Sequence, residues 1–374
     1  MKTMILKVCL LATSGWLAAC SGDDNTILPQ PDGGPPGGGD ATTDAPIDAG
    51  NDVAAEGGTE SGADAPMDAS SPTRLLLSYN NSSTSELVAF NVETHQVDGR
   101  LTYGGFIGTT SAQGADPYLL EQAVDVVARL DRTNPWTIDS SWNVALSDHA
   151  DGGATYSDPD AVVVSAPNKA YILRYTRNQV AVLDPTQAVD GGAPSGMVDL
   201  SSLVQAADSD GIVEMTAGVY VPAHNLAYLV LGNIDRNLVA SDGFTLLCAN
   251  TVSTVVAVDV ASNTLVSLGG TGPGGSLVLS GYDPIFGGLA YDAPTDRLLV
   301  FESGCNQPPA TADGGAGPLV KREVEAISLF SGQTELLYDA TGDGFPSQFL
   351  YLDAHRAVLG FDFTGSETRL WDPT

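Results

Sequence analysis

Reactive side chains are scarce in this 374-residue chain: it has four cysteines and four histidines. Cys9 and Cys20 lie at the N-terminus, which leaves Cys248 and Cys305 as one pair for the folded part. In an oxidising compartment such a pair forms a disulfide; otherwise it remains as two thiols. The run Asp208-Ser209-Asp210-Gly211-Ile212-Val213-Glu214 has the start of a calcium loop. Two carboxylates one residue apart, then a glycine, can wrap a hard cation, and Glu214 adds a further oxygen. It stops short of an EF-hand, and an acidic turn entering a strand reads the same way. Calcium at Asp208, Asp210 and Glu214 is the one cofactor the sequence suggests.

Other chemistry lacks its residues. His95, His149, His224 and His355 show no metal-ligand spacing, and no G-x-S-x-G elbow is present. The run Gly269-Gly270-Thr271-Gly272-Pro273-Gly274-Gly275-Ser276 lacks the Lys-Ser/Thr of a phosphate loop. Asp184, Asp259 and Asp372 recur at strand ends, where a carboxylate accepts backbone N–H bonds and sets a turn. No catalytic residue is nominated. Arg174, Gln307, Trp136 and Trp142 either line a face or pack between sheets, and packing is the expectation.

Acidic residues number 46 against 15 basic ones, a net charge of −31. Such a surface repels phosphate backbones, which excludes nucleic acid as a partner. A hydrophobic content of 43% is enough for a folded core.

The elements that must carry these residues fall into three regions. Residues 1–19 read as an export signal: Lys2 and Lys7, then an apolar stretch from Val8 to Ala19 too short for a permanent span. The stretch ends in Leu17-Ala18-Ala19-Cys20, which resembles the lipobox of bacterial lipoproteins. That resemblance implies lipidation at Cys20 and a membrane anchor. With Ser21 rather than Asp after the cysteine, it implies the outer membrane of a Gram-negative bacterium, with the domain in the periplasm or on the cell surface.

Residues 20–73 form an acidic linker. From Ser21 on it holds 10 Gly, 7 Pro and 11 carboxylates, and no Lys or Arg. Asp44-Ala45-Pro46-Ile47-Asp48-Ala49 returns as Asp64-Ala65-Pro66-Met67-Asp68-Ala69. This composition buries too little apolar surface to offset ordering entropy, so a disordered tether is expected.

Residues 74–374 alternate short strands with turn residues. Six units are legible: Arg74–Leu101, Tyr118–Leu146, Asp160–Leu200, Ala217–Leu268, Ile285–Tyr338 and Gln348–Trp371. Each holds up to four strands, the sign of an all-β propeller blade. Lys169-Ala170-Tyr171-Ile172 followed by Gln179-Val180-Ala181-Val182-Leu183-Asp184-Pro185 resembles the YVTN-type propeller repeat. Val256–Thr264 and Leu370–Thr374 resemble its second half. The expectation is a single β-propeller of six blades, with seven as the alternative. Cys248 and Cys305 then sit in equivalent long loops of adjacent blades, close enough to bridge.

The expected function is a monomeric, membrane-anchored lipoprotein whose propeller binds a protein, peptide or glycan. The alternative is a propeller hydrolase or lactonase with a divalent metal in the central channel.

Overall fold

The strands follow from β-branched and aromatic residues set between turns of Gly, Pro, Asn and Asp. A computed structural model describes residues 74–373, apart from 81–84, 92, 104–109, 114–115, 147–155, 188–191, 242–245, 249–250, 283–287, 307–318, 321, 341–345 and 362–366. The signal, Cys20 and the linker lie outside the described residues, as do His149 and Gln307.

Strands β1 (Arg74–Asn80), β2 (Ser85–Asn91) and β3 (Gln96–Tyr103) form an antiparallel meander. The next sheet holds β4 (Thr110–Gln113), β5 (Asp116–Glu121), β6 (Val126–Leu130) and β7 (Ile138–Asn143). Then come β8 (Pro159–Ala166), β9 (Lys169–Arg174), β10 (Gln179–Leu183) and β11 (Gly196–Asp199). The following sheet has β12 (Met215–Val221), β13 (Leu226–Leu231), β14 (Thr254–Asp259) and β15 (Thr264–Val266), with β16 (Leu277–Val278) also on β14. Next are β17 (Gly288–Asp292) and β18 (Arg297–Glu302). A two-stranded ribbon, β19 (Cys305–Asn306) with β20 (Leu319–Val320), interrupts them before β21 (Glu323–Ser328) and β22 (Thr334–Asp339) complete that sheet. The last sheet is β23 (Pro346–Asp353), β24 (Arg356–Phe361) and β25 (Glu367–Trp371).

Five sheets follow one another through their first strands, β4, β8, β12, β17 and β23, each lying against the next. These are five blades of an all-β propeller, so the expectation of six blades, or seven, is corrected. The extra unit was 74–101. It forms strands, but β1 meets β4 only sparingly. The β1–β3 meander packs on the first blade through Leu76, Leu87 and Ala89 against Leu119, Ala128 and Leu130. Alternation marks a segment as strands; it does not encode whether the segment's first strand joins the central run.

Within a blade, burial grades from the middle outward. β9 and β13 are buried on both faces, because a blade lies on either side of them, while β11 and β22 are largely exposed. The core is therefore a series of layers between blades. Val163, Tyr171 and Leu173 of the second blade pack on Met215, Leu229 and Val256 of the third. Tyr228, Val230 and Val255 of the third pack on Leu298, Val300 and Ile327 of the fourth. Each such aliphatic side chain contributes about 1.5–3 kcal/mol on burial. Gly218 in β12 allows a close approach: a Cβ there would stand 2.6 Å from Val163 Cγ2.

The second blade has the strands read from its sequence. The first departs from its reading. β4 is polar and shows no alternation, and Trp136–Leu146 holds one strand, β7, rather than two. Trp142, 2% exposed, packs between the first and second blades with Tyr118 and Ile172. Trp136 fills the space over Gly99 and lies under the Arg74 guanidinium at 5.5 Å.

Candidate functional site

The residue before a blade's first strand and the residue after its second meet at one end of the blade, because the two strands are antiparallel. Tyr175 N–H donates to Asp158 O at 2.8 Å, and Gly232 N–H to Glu214 O at 2.7 Å. Buried charged side chains gather at this end, among them Arg174, Glu214, Glu302 and Glu325. At the other, tight turns dominate: Asp184 and Asp259 accept the backbone N–H of Thr186 (3.0 Å) and Ser262 (2.7 Å). The Thr186 and Ser262 hydroxyls, which donate to the same carboxylates at 2.6 and 2.7 Å, and then these backbone bonds hold both carboxyls below the ordinary carboxylate range. They are turn residues, as their recurrence suggested.

Arg236 organises the charged end. Its Nε is 3.2 Å from Glu214 Oε1 and 3.2 Å from Asp210 Oδ2. Its guanidinium stands 6.0 Å from the Tyr175 ring of the neighbouring blade. Glu214 has no exposed surface, and its Oε2 accepts the Ile234 N–H at 2.9 Å. Burial and the nearby Asp210 charge push the Glu214 carboxyl well up, against the pull of Arg236. Asp158 is pushed up to about 6 by burial and by Asp125, while Arg236 draws it down. Asp125 is itself held by Ser157, whose N–H (2.6 Å) and hydroxyl (2.5 Å) donate to its Oδ1.

Of the residues read as a calcium loop, the structure brings Asp208 and Asp210 together with Asp235, from the loop after β13; one carboxylate oxygen from each lies within 4.8 Å of the others. Glu214 is turned to Ile234 and Arg236. The sequence reading missed Asp235 because it lies in the next loop, although Asp235-Arg236-Asn237 repeats the acid–x–polar spacing.

Cys248 and Cys305 form a disulfide, with Cα atoms 5.7 Å apart. The bridge joins the loop after β13 to the loop after β18, the adjacent-blade arrangement expected. Ile234, Leu246 and Tyr282 pack around it, and Cys248 N–H donates to Asn306 O at 2.9 Å.

A second acidic group lies beside that loop. Glu302, Glu323 and Glu325 each bring a carboxylate oxygen within 4.8 Å of the others. Ser280 Oγ–H serves Glu323 and Glu325 Oε2, the latter at 2.6 Å. Burial raises the Glu325 carboxyl, and its bonds to Ser280 offset part of that. The sequence signal for this group was Glu323-Val324-Glu325, two acids at strand spacing in an otherwise apolar segment. The described histidines do not converge here. His224 pairs with Asp296 (2.8 Å) at the turn end, and His95 and His355 are exposed.

No protein-family pattern matches the chain, and no curated protein sequence does. Among solved structures it is similar to a putative 6-phosphogluconolactonase from Bacteroides uniformis, at 10% identity and a TM-score of 0.48, over 78% of each chain. It is also similar to the β-propeller domain of Cps50 (Swd1) from Myceliophteria thermophila, at 13% identity and a TM-score of 0.44, over 78% of this chain and 93% of that one.

Proposed function

We propose that this chain is an exported lipoprotein, anchored through Cys20, whose propeller binds a protein, peptide or glycan with the loops at its charged end. The observation that carries the reading is the Cys248–Cys305 bridge. A structural disulfide belongs to an oxidising compartment. This one ties together two long loops of adjacent blades, and so cuts the ordering entropy a ligand would otherwise have to overcome. The carboxylates beside it are engaged by Arg236, Ser280 and backbone N–H groups, which suits a shaped binding surface. The lipobox and the acidic linker supply the anchor and the reach.

Fractionation of a Gram-negative host expressing the full chain tests the anchor. Wild type is expected in the outer-membrane fraction carrying an acyl chain, and Cys20→Ser in the soluble fraction. A Cys20→Ser chain that stays membrane-bound overturns the anchor. Turnover of a lactone or ester panel by the purified protein would overturn the binding-module reading in favour of a hydrolase.

A further inference from the structure

We propose that Asp208, Asp210 and Asp235 hold one divalent cation, calcium by its chemistry, which fastens the connection between the second and third blades to the loop after β13. The proposal does not depend on the anchor or on the identity of any ligand.

Three observations carry it. The first is geometric. One oxygen from each carboxylate lies within 4.8 Å of the other two. Oxygens bound to a calcium ion at about 2.3–2.6 Å fall within such separations, so one ion can touch all three.

The second is an oxygen without a donor. Asp208 is only 9% exposed. Its Oδ1 accepts the Asp210 N–H at 3.1 Å, but its Oδ2 is enclosed and accepts no hydrogen bond among the described residues. A buried carboxylate oxygen left this way is costly unless a cation or donor meets it.

The third is charge balance. Asp208, Asp210, Asp235 and Glu214 bring four carboxylates to this corner, and Arg236 brings one guanidinium. Arg236 is committed to Asp210 Oδ2 and Glu214 Oε1. Among the described residues no basic side chain pairs with Asp208 or Asp235.

The neighbouring hydrogen bonds leave the needed lone pairs available. Asp235 Oδ1 accepts Ser209 Oγ–H (2.8 Å) and Asn237 N–H (3.0 Å), which leaves Oδ2 for an ion. Asp210 Oδ1 accepts Ile212 N–H at 2.9 Å and keeps a second lone pair. An all-oxygen set favours calcium or magnesium over zinc, and three carboxylates from irregular loop segments, completed by water, favour the less regular coordination of calcium.

Calcium titration of the purified full-length chain after chelator treatment tests this, by calorimetry and by thermal melting. The expected result is one site per chain and a melting temperature about 2–4 °C higher at calcium ten times Kd. Magnesium should produce a smaller shift. Asp208→Asn and Asp235→Asn should each weaken calcium binding at least tenfold. Both should melt no lower than wild type without calcium, because each removes an uncompensated charge. Asp235→Asn sits in a surface loop and serves as the second variant should Asp208→Asn fold poorly. No calcium binding by wild type overturns the proposal, and so does undiminished binding by both variants, which would place the ion elsewhere.

Discussion

Arg236 Nε stands 3.2 Å from Oε1 of Glu214, a carboxylate with no exposed surface. One guanidinium from the third blade's long loop thus compensates the acid that opens that blade's first strand. Removing it leaves the buried Glu214 carboxyl without its cationic partner. Arg236→Met should cost about 2–4 kcal/mol at pH 7, since breaking a buried pair is expensive and Arg236 is partly exposed. Urea unfolding measures it. Arg236→Met combined with Glu214→Gln should recover most of the loss. Equal loss in the double variant would show that Arg236 acts through packing alone.

Asp158 gives a pH dependence with a definite sign. Its carboxyl is raised from 3.8 to about 6, so the folded protein holds that proton more tightly than the unfolded chain. Between about pH 4 and 6 this group therefore costs stability as the pH rises. Lowering the pH from 7 to 5 should return about 1 kcal/mol through this group, and Asp208, also raised to about 6, with the raised Glu121, Glu214 and Glu325, acts in the same direction. Asp184, Asp259, Asp292 and Asp296 are shifted down. Their stabilisation is present above the ordinary carboxylate range and is lost only as the pH falls through it, below this window. Asp158→Asn should be more stable than wild type at pH 7 and flatter between pH 7 and 5. Its φ of +54° is one asparagine tolerates. Denaturant midpoints at both pH values decide, and an unchanged pH slope in the variant would count against the assignment.

The bridge closes a 57-residue separation. Replacing both cysteines by serine should cost about 2–4 kcal/mol, chiefly by freeing the unfolded chain. Melting with and without reductant reads it, and thiol titration of the unreduced, denatured protein should find neither Cys248 nor Cys305 free.

Gly218→Ala tests the packing of neighbouring blades. The new methyl would meet Val163 Cγ2 at 2.6 Å and Leu173 Cδ1 at 3.0 Å. Overpacking between β8 and β12 should cost about 1–3 kcal/mol. Val163→Ala in the same chain should relieve part of it, and simple additivity of the two losses would argue against the contact.

The legible parts of the sequence were those where side-chain type fixes local geometry. Lys169–Arg174 and Gln179–Leu183 carry β-branched and aromatic residues between turns, and both strands form there. Cys248 and Cys305 were paired correctly because equivalent loops of neighbouring blades share a rim. Thr110–Gln113 was invisible, being polar and without apolar alternation. The blade count failed at β1–β3, since its alternation matches that of a blade while its first strand does not join the central run. Asp235 was missed because the juxtaposition of loops from different strands is a tertiary property.

The proposed binding surface is the pair of bridged loops. Purified wild type and the Cys248→Ser/Cys305→Ser variant, both verified as folded, should be compared on one array of peptides and glycans at equal concentration. Wild type should bind a defined set of ligands, and the variant should bind them at least tenfold more weakly. Ligands held equally by both proteins, or none held by wild type, would contradict it.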